Sequence, residues 1–250
     1  MKTLLLACLL LLVPLTSMAR TIVVVGDPYP PFTDPQNPQD GLALEIIRAA
    51  YKTQGHQVRM EFMPWARAEK GVTEGTYDVL AATWRTEARA KVLVFSTPYS
   101  VSTIKFIKRR GDPFEYQGLD SLKNKRVGAV RGYAYGDSMT SPTAFVRDDV
   151  VDFATNLRKL MVNHIDLTLE DEIVAKFMLR REFPELHDKI EFSKSALSRN
   201  LLHITVGLKN PAHTELITSF DKGFERIKAS GVLDKIYQKY GLGKWELNEK

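Results

Sequence analysis

Thr21-Ile22-Val23-Val24-Val25 opens a succession of hydrophobic periods that decides the fold. The run is β-branched and uninterrupted, which reads as a strand buried on both faces. Pro28, Pro30, Pro31, Pro35 and Pro38 then force irregular chain. Over residues 41–54, Leu42, Ile46, Ala49 and Ala50 share one helical face, and Gly55 supplies the stop. Residues 57–62 alternate, with Val58, Met60 and Phe62 on one side. Residues 65–73 read as a helix and 77–82 as another strand. Strand–helix–strand–helix–strand implies βαβ units and a parallel sheet.

A second set follows the first. Residues 126–130 read as a strand closed by Gly132, 153–162 as a helix, 165–169 as a short strand, and 171–183 as a helix stopped before Pro184. An extended segment, 101–108, separates the sets and breaks at Arg109-Arg110-Gly111-Asp112-Pro113. A matching segment, 202–208, ends at Asn210-Pro211 and leads into amphipathic helices over 214–227 and 232–240. The expected architecture is two α/β lobes joined by two crossing strands. The first lobe takes residues 20–107 and 206–250, the second residues 108–205. Such lobes enclose a cleft, a preferred place for a small ligand, and hinge closure around it is expected.

Composition narrows the function. The chain has 250 residues, 44% hydrophobic and 26% charged, which excludes disorder, collagen and coiled coil for the whole. Its charge of +5 is mild and its basic residues are dispersed, unlike a nucleic-acid binder. Cys8 is the one cysteine, so there is neither an internal disulfide nor a cysteine-based zinc site.

Eight leucines fall within the first fifteen residues. Lys2, the apolar run from Leu4 to Leu15 and Ser17-Met18-Ala19 together read as a secretory signal peptide over residues 1–19, cleaved after Ala19. The run is shorter than the roughly 20 residues a membrane span needs. Leu5-Leu6-Ala7-Cys8 resembles a lipoprotein cleavage box but stands too early in the apolar run. The mature chain is expected to be soluble and periplasmic.

Several chemistries are missing. None of His56, His164, His187, His203 and His213 pairs with another at metal-ligand spacing. There is no G-x-S-x-G elbow and no G-x-x-x-x-G-K phosphate loop. Gly241-Leu242-Gly243 lacks the rest of a dinucleotide fingerprint. No cofactor, metal or catalytic residue is expected.

Five groups of residues carry a resemblance. They are Tyr29-Pro30-Pro31-Phe32 with Gly41-Leu42-Ala43-Leu44-Glu45; Gly75-Thr76-Tyr77-Asp78-Val79 with Thr86-Glu87-Ala88-Arg89 and Phe95-Ser96-Thr97-Pro98-Tyr99; Lys125 to Gly132; Ile165-Asp166 with Asp171; and Gly231 to Gly241. In order and spacing the mature chain resembles the family-three periplasmic solute-binding proteins of ABC transporters, the polar amino acid-binding type. The resemblance implies the type II periplasmic-binding-protein fold, an amino acid or related small carboxylate as ligand, an inner-membrane permease as partner, and a monomer. It implies that Arg89 holds the ligand's carboxylate, for which a guanidinium offers two parallel donors. It implies that Asp171 holds the ammonium from the other lobe. Gly132-Tyr133-Ala134 is implied to open a helix whose free N–H groups assist the carboxylate. Tyr29 and Trp65 are implied to form apolar walls. On their own, Arg89 reads as a solvated helix residue and Asp171 as a helix cap.

The chain departs from that pattern. Ala81, Ala82 and Trp84 stand where small hydroxyl residues are usual, Arg85 adds a second cation, and Ala134 replaces a threonine. Tyr29, Trp65, Trp84 and Tyr133 together would suit an aromatic or cationic ligand.

Two other functions fit the same fold. A dehydratase acting on cyclic carboxylates would need a positioned acid, for which Glu170, Asp171, Glu172 and His164 are the candidates. A periplasmic sensor component would share the cleft and report to a receptor.

Overall fold

The computed structural model describes residues 20–136, 139 and 144–242. The expected signal peptide lies outside them, as does Gly243.

Strand β1 (Thr21–Gly26) runs parallel to both β2 (Gln57–Phe62) and β3 (Val79–Trp84). Ile22, Val24 and Val25 are fully buried, as the β-branched run requires. Helix α1 (Leu42–Lys52) connects β1 to β2, and α2 (Trp65–Thr73) connects β2 to β3. A one-turn helix, α3 (Glu87–Ala90), and β4 (Leu93–Phe95) lead into β5 (Ser100–Arg109). Strands β6 (Arg126–Val130), β7 (Val146–Val150) and β8 (Leu167–Asp171) form a second parallel block with β6 in the middle. Helix α4 (Phe153–Met161) covers this block, and α5 (Glu172–Arg181) follows β8.

The two blocks are joined by β5 and by β9 (Ile190–Gly207), which pair antiparallel from Ser100↔Leu202 to Arg109↔Ile190. Strand β9 also pairs with β3, and β5 with β8. One curled sheet results, in the order β2-β1-β3-β9-β5-β8-β6-β7. The second crossing strand was expected only over 202–208, but β9 starts at Ile190. Its first part, including Lys194, Ser195 and Arg199, is polar and half-solvated, so no apolar period betrays it. Backbone pairing with β5 holds it. Strands β4 and β7 were not anticipated either, and α3 only in so far as Arg89 read as a helix residue.

Helices α6 (His213–Ala229) and α7 (Val232–Lys239) return to the N-terminal block. α6 lies against α1 so closely that a Cβ on Gly223 would stand 2.1 Å from the Ala50 carbonyl oxygen. No described helix is long and apolar enough to cross a membrane.

Candidate functional site

Ligand sites of open α/β sheets lie beyond the carboxyl ends of parallel strands. Here the chemistry-bearing residues collect at those ends. Asp27 and Tyr29 follow β1; Ala82 and Trp84 close β3; Arg89 stands on α3 just beyond; Trp65 opens α2 after β2. Gly132 and Tyr133 follow β6 from the opposite block, and Glu170 and Asp171 close β8.

Six of the expected site residues line one cavity: Tyr29, Trp65, Ala82, Trp84, Arg89 and Tyr133. Asp27 joins them. Tyr133 reaches across the cleft into this aromatic box. Its ring centroid lies 6.0 Å from Tyr29, 5.8 Å from Trp65 and 5.5 Å from Trp84. The space left is ≈ 10 Å³, room for about one water molecule. On the other side of Tyr133 a cavity of ≈ 460 Å³ opens, walled by Asp27, Tyr29, Glu170, Val174 and Met178 among others. That volume is in the small-ligand range. Tyr133 therefore divides the interlobe cleft into an inner pocket and an outer one.

Arg89 is buried, and most of its donors are already engaged. Nε donates to Glu69 Oε1 at 2.7 Å, Nη1 to the Trp84 carbonyl at 3.0 Å, and Nη2 to the Gly132 carbonyl at 2.9 Å. The guanidinium lies over the Trp65 ring at 5.1 Å. Thr86 caps α3 by accepting from the Arg89 N–H, which fixes where the side chain starts. The site residue Gly132 has φ +81°, and a Cβ there would stand 3.0 Å from Trp65 Cδ1, so glycine answers both the turn and the close approach.

Asp27 accepts from the Tyr133 hydroxyl at 2.6 Å. Burial pushes its carboxyl up to about 7, against the lowering effect of that hydrogen bond. The indole N–H of Trp84 is buried without a partner. Burial also raises Glu170 well above the usual carboxylate range; its Oε1 accepts from the Asp171 N–H.

Asp171 is not in the inner pocket. Its Oδ1 accepts from the Ile173 and Val174 N–H groups, its Oδ2 from Ser102 Oγ and the Thr103 N–H. Burial raises its pKa, and these four bonds oppose the shift. A carboxylate has about four acceptor sites, so all are used. Its role in this conformation is the cap of α5, with a link to Tyr29 through Ser102, whose Oγ lies 3.1 Å from the Tyr29 hydroxyl.

Residues 131–132 form a turn and 133–136 are irregular, so the helix expected to start at Gly132-Tyr133-Ala134 does not start there. Of residues 137–143 only Met139 is described. Ala134 packs on the hydrophobic core and is not a wall of the inner pocket. Arg85 lies over Phe95, away from it. Of the dehydratase acids, Glu170 lines the outer cavity, Glu172 pairs with Lys105 and Lys176, and His164 is exposed. The described residues hold no group of three or more His, Cys, Asp or Glu placed for a metal.

Sequence reasoning missed Asp27 and Glu69. Asp27 had a faint signal, an acid directly after the first strand and before a proline. Glu69 had another, standing four residues after Trp65 and so on the same helix face.

The sequence profile of the bacterial extracellular solute-binding proteins, family 3, matches residues 21–243. The chain belongs to this family. The resemblance in its motifs is thereby borne out at the level of the family. The arginine-binding periplasmic protein of Mannheimia haemolytica is 24% identical over 238 residues, covering 92% of this chain and 94% of the relative. Among solved structures, the amino acid ABC transporter substrate-binding protein AbpA of Streptococcus pneumoniae, bound to L-arginine, superimposes with a TM-score of 0.74 at 20% identity. It covers 91% of this chain and 97% of its own. A histidine kinase sensor domain similar to periplasmic binding proteins reaches a TM-score of 0.79 at 23% identity, with 91% and 98% covered. The two-lobed type II periplasmic-binding-protein fold is shared with these structures. The relatives are binding proteins, and the family acts outside the cytoplasm.

Proposed function

We propose that this family 3 protein captures an amino acid or a related small carboxylate between its lobes in the periplasm and delivers it, as a monomer, to an ABC permease, with no chemistry of its own. The observation that carries this reading is a buried arginine at the base of an aromatic cavity, beyond the strand ends of both blocks. Arg89 holds the carboxylate. Tyr29, Trp65, Trp84 and Tyr133 enclose the rest, and aromatic faces favour a cation. The Trp84 N–H is a donor ready for a ligand acceptor. Because Asp171 is saturated, Asp27 is the better-placed acid for the ammonium. The relative from Mannheimia and the streptococcal protein are both named for arginine or bound to it, which makes basic amino acids the first ligands to try.

Swinging Tyr133 out of the box merges the two cavities and admits a ligand to Arg89. A thermal-shift screen of the twenty amino acids and related carboxylates tests the reading. A ligand at a hundredfold excess over Kd adds about 2.7 kcal/mol of stability. Silence across the whole panel would exclude amino acid capture.

A further inference from the structure

Arg89 already holds a carboxylate, and it belongs to the protein. Glu69 presents Oε1 to Arg89 Nε at 2.7 Å and Oε2 to Nη2 at 3.5 Å, the side-on, two-oxygen approach a free carboxylate uses on a guanidinium. The Trp65 indole N–H donates to the same Oε2 at 3.0 Å and holds the carboxylate there. Trp65 and Glu69 are one helical turn apart on α2, so one helix supplies both a wall of the pocket and the group that covers its cation.

A guanidinium has five N–H donors. With Nε and one Nη2 N–H turned to Glu69, the other Nη2 N–H on Gly132 and one Nη1 N–H on Trp84, no adjacent pair is left for a second carboxylate. The partners differ in origin. Gly132 reaches Arg89 from across the cleft, so parting the lobes releases it. Glu69 stands on the same block as Arg89 and stays when the lobes part.

We propose that Glu69 is an internal competitor for the ligand's carboxylate: a ligand gains Arg89 only by displacing Glu69, and this competition sets the protein's affinity and its preference among ligands. The inference rests on the reading of the cleft given above. It also predicts a selectivity. Each carboxylate-bearing ligand carries the cost of the displacement, and an amine of the same side chain does not.

The experiment titrates wild type, Glu69→Gln and Glu69→Ala by calorimetry with the amino acid that gives the largest thermal shift and with its decarboxylated amine; for arginine and lysine these are agmatine and cadaverine. Glutamine keeps the shape and an acceptor for Trp65 while removing the charge; alanine removes the side chain. The expected result is amino acid binding about tenfold or more tighter in both variants, the span of one charge-assisted hydrogen bond, with amine binding changed by less than about threefold. Amino acid binding that is unchanged or weaker in both variants overturns the competitor role and makes Glu69 a positioning residue for Arg89, while leaving amino acid capture intact. If no amino acid binds any of the three proteins, capture and competition both fall.

Discussion

Tyr133, on the loop after β6, donates its hydroxyl to Asp27, on the loop after β1, at 2.6 Å across the cleft. Asp27 is buried and Tyr133 half-buried, so the bond closes the inner pocket with an acid that does not hold its charge at every pH. Asp27 has its carboxyl pushed up to about 7 by burial, from 3.8 for an ordinary aspartate.

That shift sets a pH dependence. Below about pH 4 both folded and unfolded chains hold the proton. Between about 4 and 7 the unfolded chain loses it while the folded protein keeps it, so stability falls as pH rises, by about 1.4 kcal/mol per unit from this group. Asp27→Asn should flatten this part of the curve, measured by urea unfolding from pH 4 to 8. An unchanged slope would show that Asp27 is not the group responsible.

Tyr133→Phe removes the bond and keeps the ring. The loss should be about 1.5–3 kcal/mol above pH 7.5, where Asp27 is ionised, and smaller near pH 5, where the bond joins two neutral groups. Urea unfolding at the two pH values separates these outcomes. Equal losses at both would mean that the Asp27 charge does not matter to the contact.

Much of this molecule is legible in its sequence, for identifiable reasons. The two βαβ sets show because their strands and helices bury apolar faces at regular periods, and residues 65–73 match α2 to the residue. The pocket residues stand at strand ends, where the motifs are. What is not legible depends on partners distant in sequence. The first half of β9 is polar and exists through its pairing with β5. Glu69 looks like any half-exposed helix glutamate until Arg89, twenty residues on, folds back to it. Asp171 read both as a ligand residue and as a helix cap; four hydrogen bonds to its carboxylate make the cap its role in this conformation.

Asp171→Ala accordingly should cost about 2 kcal/mol or more, since it strips the α5 cap and leaves the Ser102 and Thr103 donors without their acceptor. Asp171→Asn, which keeps one acceptor oxygen, should cost less. Chemical denaturation of both variants without ligand is the measurement. Full stability in the alanine variant would remove the capping role.

Gly223→Ala probes the seam between the C-terminal helices and the N-terminal block. A Cβ 2.1 Å from the Ala50 oxygen forces α6 away from α1. The expected loss is about 1–3 kcal/mol, as for other overpacked cores, read from the denaturation midpoint. No loss would mean that the two helices are not in such close contact.

The central claim is that a ligand between the lobes is held through Arg89. Calorimetric titration of wild type and Arg89→Ala with the best amino acid from the screen tests it most directly, with circular dichroism confirming that the variant is folded. The account predicts saturable one-to-one binding in wild type, and in the folded variant binding weaker by at least about a hundredfold, the scale of a lost two-bond carboxylate contact. Equal affinity in the two proteins would contradict it.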